Sequence, residues 1–80
     1  MITPEASRAA RGLLKWSLKD LAEKAGVAFT TISQFENGRP AYGSTGEKIA
    51  QAFEAEGVEL ILEEDRTGAI LVHARKRGDV

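Results

Sequence analysis

Phe29, Thr30, Ser33 and Gln34 fall at helical spacing, so one short helix would carry all four on a single face. An amide and two hydroxyls donate and accept hydrogen bonds without ionising near neutral pH. On a lone helix such a row is most simply a solvated face, and behind a helix-turn-helix pattern it becomes a base-reading surface. The chain has no cysteine, and its single histidine, His73, stands without a constellation around it. No glycine-rich phosphate motif is present. Glu63-Glu64-Asp65 lacks calcium-binding spacing and reads as a solvated turn. An enzyme is therefore the weakest reading, and neither a metal nor a cofactor is expected.

The elements that would position this row are marked by start and stop signals. Thr3-Pro4-Glu5 opens a first helix that stops near Lys15, with Ala6, Ala10, Leu13 and Leu14 at helical spacing. Ser17 and Asp20 form a capping-box-like pair, and Gly26 ends the second helix. A third helix over residues 29–37 follows, with Ala28 at a cap position it cannot fill by side chain. Trp16 and Leu21, then Val27 and Ile32, sit at staple positions across the two starts, and Trp16 reads as a core anchor. Two short helices joined by a tight turn make a helix-turn-helix, a layout that sets one helix in the major groove of DNA.

Downstream, Ser44-Thr45-Gly46-Glu47 has the pattern of a capping box, and Ile49, Ala50, Ala52 and Phe53 make the apolar face of a fourth helix. The period then changes to that of two strands, 58–62 and 69–74, with a polar turn at 63–68. The fold class is mainly α: a four-helix bundle with a C-terminal β-hairpin. Residues 1–57 form the helical unit, 58–74 the hairpin, and 75–80, with Arg75-Lys76-Arg77, a flexible tail.

The chain has 80 residues and a net charge of -1, which looks wrong for a nucleic-acid binder. The average hides a split. Residues 1–45 hold six basic and four acidic residues, a net of +2, and residues 46–80 hold five and eight, a net of -3. The local face decides DNA affinity, and this small positive excess predicts weak binding by one copy. No apolar run approaches the roughly 20 residues that span a bilayer, and no signal-peptide pattern opens the chain. A cytoplasmic protein with no membrane association is expected.

Trp16-Ser17, Leu21-Ala22, Ala25-Gly26-Val27, Thr31-Ile32-Ser33 and Phe35-Glu36-Asn37-Gly38, in this order and spacing, resemble the Cro/C1-type (XRE-like) helix-turn-helix regulators. The resemblance covers about residues 5–57. It implies a lambda-repressor-like bundle that binds double-stranded operator DNA, usually as a homodimer. It also implies that residues 29–37 are the recognition helix and that Phe29, Thr30, Ser33 and Gln34 read bases. The chemistry agrees: glutamine suits adenine N6 and N7, and a thymine methyl offers an apolar contact to Phe29. Ser17, Lys19, Thr31, Asn37 and Arg39 would hold phosphates, which sets register. Leu18 replaces the glutamine common in the family. Glu36 is expected to pair with Arg11, as that position commonly does, to orient the recognition helix. With no Arg or Lys on that helix, A·T-rich contacts are favoured over guanine.

The hairpin lies beyond that resemblance. Val58, Leu60, Ile61, Leu62, Ile70, Leu71 and Val72 give it more apolar surface than one helical face needs. The expectation is a homodimer built through the hairpin, setting two recognition helices about 34 Å apart. A repressor that occupies a palindromic operator is the leading reading. The competing reading is an antitoxin-like interaction module that binds a toxin or another protein by strand addition.

Overall fold

The computed structural model describes residues 1–73. Four helices are followed by one antiparallel hairpin: α1 (Pro4–Leu14), α2 (Leu18–Ala25), α3 (Phe29–Glu36), α4 (Thr45–Glu54), β1 (Val58–Glu63) and β2 (Arg66–Leu71). The expected tail at 75–80 lies outside the described residues. None of the described helices is long and apolar enough to cross a membrane.

Local signals explain most boundaries. The Thr3 side chain accepts from the Ala6 N–H, and Pro4 takes a helical position where its missing N–H costs nothing. Lys15, at φ 58°, ends α1 in the left-handed region. Ser17 and Asp20 close a reciprocal capping box, with the Ser17 N–H donating to Asp20 at 2.9 Å and the Asp20 N–H donating to Ser17 at 3.0 Å. Gly26, at φ 68°, turns the chain between α2 and α3 without a Cβ penalty.

Two local expectations are corrected. Ser44 makes no side-chain cap on α4. Gly43 at φ 61° delivers Ser44 at φ -92° and ψ 11°, outside the extended geometry that aims a capping hydroxyl at the helix. The second strand runs 66–71 rather than 69–74, because the chain reverses in two residues, Glu64 and Asp65, between the paired Glu63 and Arg66. The polar residues Arg66 and Thr67 are therefore strand, not turn.

The core sits among the four helices, and the hairpin closes it against α1 and α4. Leu21, Ile32, Ile49 and Phe53 are fully buried, joined by Ala6, Ala10, Phe35 and Val58. Ile2, ahead of α1, is buried as well. Leu14 packs on this core while Leu13 turns outward. Trp16 anchors the α1–α2 connection by stacking on Phe53, with ring centroids 5.7 Å apart. β2 lies along α1, and β1 lies against α4. Thr3 and Thr67 bond through their hydroxyls at 2.6 Å, tying the start of α1 to the hairpin.

Candidate nucleic-acid interface

The sequence of α3 separates two faces. Ile32, Phe35 and Glu36 are buried, whereas Phe29, Thr30 and Gln34 are exposed and Ser33 is half-buried beside them. At 3.6 residues per turn these four outward positions span an arc of about 140°. Phe29 is 49% exposed, so it does not fold back into the core. The outward face of α3 is thus uncharged, aromatic at its N-terminal end and amide-bearing one turn later.

Glu36 would spoil that neutrality if it faced outward. Instead it is held inside by three residues of α1. Arg11 grips both carboxylate oxygens, Nη2 to Oε1 at 2.7 Å and Nε to Oε2 at 2.9 Å. The Ser7 hydroxyl donates to Oε2 at 2.6 Å, and Arg8 Nη1 donates to the Glu36 main-chain carbonyl at 2.6 Å. Arg11 also donates to the Trp16 carbonyl at 3.1 Å, so one guanidinium ties α3 to the α1–α2 connection. Bonding to Glu36 raises the Arg11 pKa above its ordinary value despite the opposing effect of burial. Ser7 and Arg8 were missed in the sequence. Their signal was there: Ser7, Arg8 and Arg11 fall within one turn of each other, on a helix whose apolar stripe is only alanine and leucine.

The flanks carry the free cations. Lys19 at the start of α2 and Arg39 after α3 are exposed and form no ion pair among the described residues. The Ser17 hydroxyl accepts the Asp20 N–H and also favours the charged Asp20 carboxylate, so it is engaged in the α2 cap. The adjacent Asp20 carboxylate is held below its usual pKa by the Ser17 N–H, then by the Ser17 hydroxyl. Asn37 donates one amide hydrogen to the Ser33 carbonyl at 2.9 Å, which leaves its second N–H and its side-chain oxygen. Thr31, Gln34 and Arg39 come together with Pro40, Tyr42 and Thr45 around a surface cleft of about 370 Å³. Tyr42 on this cleft is 78% exposed.

The hairpin residues divide into two sets. Val58 lies in the core, and Leu60 and Leu71 pack against it, so these three are engaged within their own chain. Leu62 and Ile70 are exposed at 37% and 48%, and Ile61 and Val72 are half-buried.

This geometry has a counterpart among known families. The helix-turn-helix family model matches residues 8–60, from α1 into β1. No curated relative matches the chain. The matched stretch covers more than half of the chain and includes α2, Gly26, α3 and α4. The chain belongs to the Cro/C1-type (XRE-like) helix-turn-helix family and is a DNA-binding regulator of that kind.

Proposed function

We propose that the protein is a cytoplasmic, sequence-specific repressor that occupies a palindromic operator as a homodimer. One observation carries this reading: α3 buries Ile32, Phe35 and Glu36 while presenting Phe29, Thr30, Ser33 and Gln34 outward. In the major groove, Gln34 would bond adenine N6 and N7, and Thr30 and Ser33 would donate or accept at neighbouring edges. Phe29 would meet a thymine methyl. Ser17, Lys19, Thr31, Asn37 and Arg39 would touch phosphates and fix the register. With no guanidinium on the outward face of α3, the preferred half-site is A·T-rich.

The exposed Leu62 and Ile70 favour one alternative, in which the hairpin serves a different protein, such as a toxin, and DNA reading is weak. Selection of bound sequences from a random DNA library with the purified chain separates the two. An enriched palindrome supports the repressor reading. Failure to enrich any sequence overturns it in favour of the interaction module.

A further inference from the structure

The two sides of the hairpin are covered unequally. α1 packs along β2, where Thr3 also bonds to Thr67. Beside β1, α4 and the residues ahead of α1 leave a groove of about 430 Å³, a size that ligand sites commonly have. Ile2, Ala50, Leu60 and Leu62 give it an apolar lining, to which Glu47 and Glu54 add two acids. None of its lining residues is basic. Leu62 is 37% exposed. Glu47 and Glu54 are exposed and form no ion pair among the described residues.

The hairpin register leaves main-chain groups open on β1 as well. The Val72 N–H donates to the Gly57 carbonyl at 2.8 Å. In step with it, Glu59 faces Ile70, Ile61 faces Gly68 and Glu63 faces Arg66. Hydrogen-bonded and non-hydrogen-bonded pairs alternate along an antiparallel ladder. Leu60 and Leu62 therefore turn their main-chain groups away from β2 to the outer edge, where they meet no main-chain partner among the described residues.

These features fit one kind of occupant. An extended segment can bond an open strand edge while placing alternate side chains in the pockets beside it. The apolar lining would take one large apolar side chain. Glu47 and Glu54 are seven residues apart on α4, a rise of about 10.5 Å. In an extended segment the side chains two before and two after the apolar one share its face, about 13.5 Å apart. Lysine or arginine side chains at those two places are long enough to close the difference and reach both carboxylates. A second copy of β1 would instead set Glu59 and Glu63 against acids of their own kind.

We propose that this groove docks an extended segment of a different protein, paired to the β1 edge, with an apolar residue flanked two positions away on each side by lysine or arginine. The groove shares no residue with the outward face of α3, so docking leaves that face open. The proposal stands apart from the operator reading, because neither the groove nor its test involves DNA.

Selection of displayed short random peptides on the full-length chain tests it. The expected consensus is basic-x-apolar-x-basic. A synthetic peptide of that consensus should slow amide exchange at Leu60 and Leu62 but not at Ile61, whose N–H already donates to β2. Glu54→Lys should weaken this peptide about fivefold, the upper range for one exposed ion pair, and the control Glu23→Lys on α2 should change it by less than about twofold. Leu62→Thr, which removes apolar lining and keeps strand propensity, should weaken it too. The exchange measurement uses the unmodified chain, so it decides the matter even where a variant fails to fold. Failure to enrich any peptide, a consensus without the paired basic residues, or unchanged exchange at Leu60 and Leu62 overturns the proposal. A dimeric mass by light scattering that Glu54→Lys lowers assigns the groove to a second copy and also overturns it.

Discussion

Replacing Arg11 with alanine tests the contact that holds α3. Glu36 is buried, with 5% of its side chain exposed, while the Arg11 side chain is 20% exposed. The substitution removes two charge-assisted bonds to the carboxylate and one bond to the Trp16 carbonyl, leaving Glu36 only the Ser7 hydroxyl. Removing one partner of a buried pair typically costs about 3–5 kcal/mol, because the remaining charge is uncompensated. The exposed fifth of Arg11 admits water to the vacated space, which places the expected cost near the lower bound, about 3 kcal/mol. In a domain of this size each kcal/mol lowers Tm by roughly 4–8 °C, so melting should fall by about 12–24 °C. The control is Glu36→Gln, which removes the charge and keeps the shape. In the double variant the stranded charge is gone, so the two losses should fall short of additivity by about 1–3 kcal/mol. Denaturant unfolding of the four proteins measures this coupling. If Arg11→Ala unfolds within about 0.5 kcal/mol of the parent, or the losses simply add, the electrostatic argument is wrong.

Other outcomes follow from single features. Lys15 is the one non-glycine residue at positive φ among the described residues. Lys15→Gly should therefore stabilise the fold by roughly 0.5–1 kcal/mol, read as a raised denaturant midpoint. Gly26→Ala should destabilise it by about 1 kcal/mol through backbone strain alone, since a Cβ there meets open space. Asp20 has a folded-state pKa below its ordinary value, so its stabilisation is present above about pH 4 and is lost as pH falls through the lower folded value. Asp20→Asn should remove that part of the acid dependence of unfolding. In DNA binding, Gln34→Ala should cost about 1–3 kcal/mol on the selected site and little on unrelated DNA. Arg39→Ala should weaken both alike and lower the salt slope by about 1. Equal losses on both DNAs for Gln34→Ala would remove it from base reading.

Features encoded within one turn of chain were legible in the sequence, and those set by distant geometry were not. The capping box of Ser17 and Asp20, the turn at Gly26 and the outward row on α3 all depend on residues fewer than six apart. Ser44 shows the limit of the same logic. Its motif is as good on paper as that of Ser17, yet the left-handed Gly43 before it sets a backbone direction from which the hydroxyl caps nothing. The β2 boundary failed for a related reason. Alternation of apolar residues marks a strand, but the two-residue reversal at Glu64 and Asp65 decides where pairing begins, and neither is a glycine or asparagine that would announce it. Ser7 and Arg8 escaped because their roles exist only once α1 crosses the end of α3. Arg11 was reached through the family pattern rather than through its own neighbours in the chain.

The charge of this chain makes a particular demand on how it binds DNA. The proposed recognition helix, α3, contains one ionisable residue, Glu36, and α1 uses a guanidinium and a hydroxyl to take that acid out of play. The face left to the groove is neutral, so it contributes discrimination without long-range attraction. Attraction falls to the flanks, where Lys19 and Arg39 are the exposed cations assigned to phosphate. Each neutralised phosphate steepens the dependence of log K on log salt by about 0.9, so two such contacts give one copy a shallow slope and a weak affinity. In the proposed homodimer a second copy would double the contacts. It also makes the second half-site encounter intramolecular, where effective concentrations reach the mM range. Binding that is weak per copy and strong per pair rises steeply with protein concentration. For a regulator whose outward α3 face is uncharged, the proposed pairing of two copies would therefore set the concentration at which the operator fills.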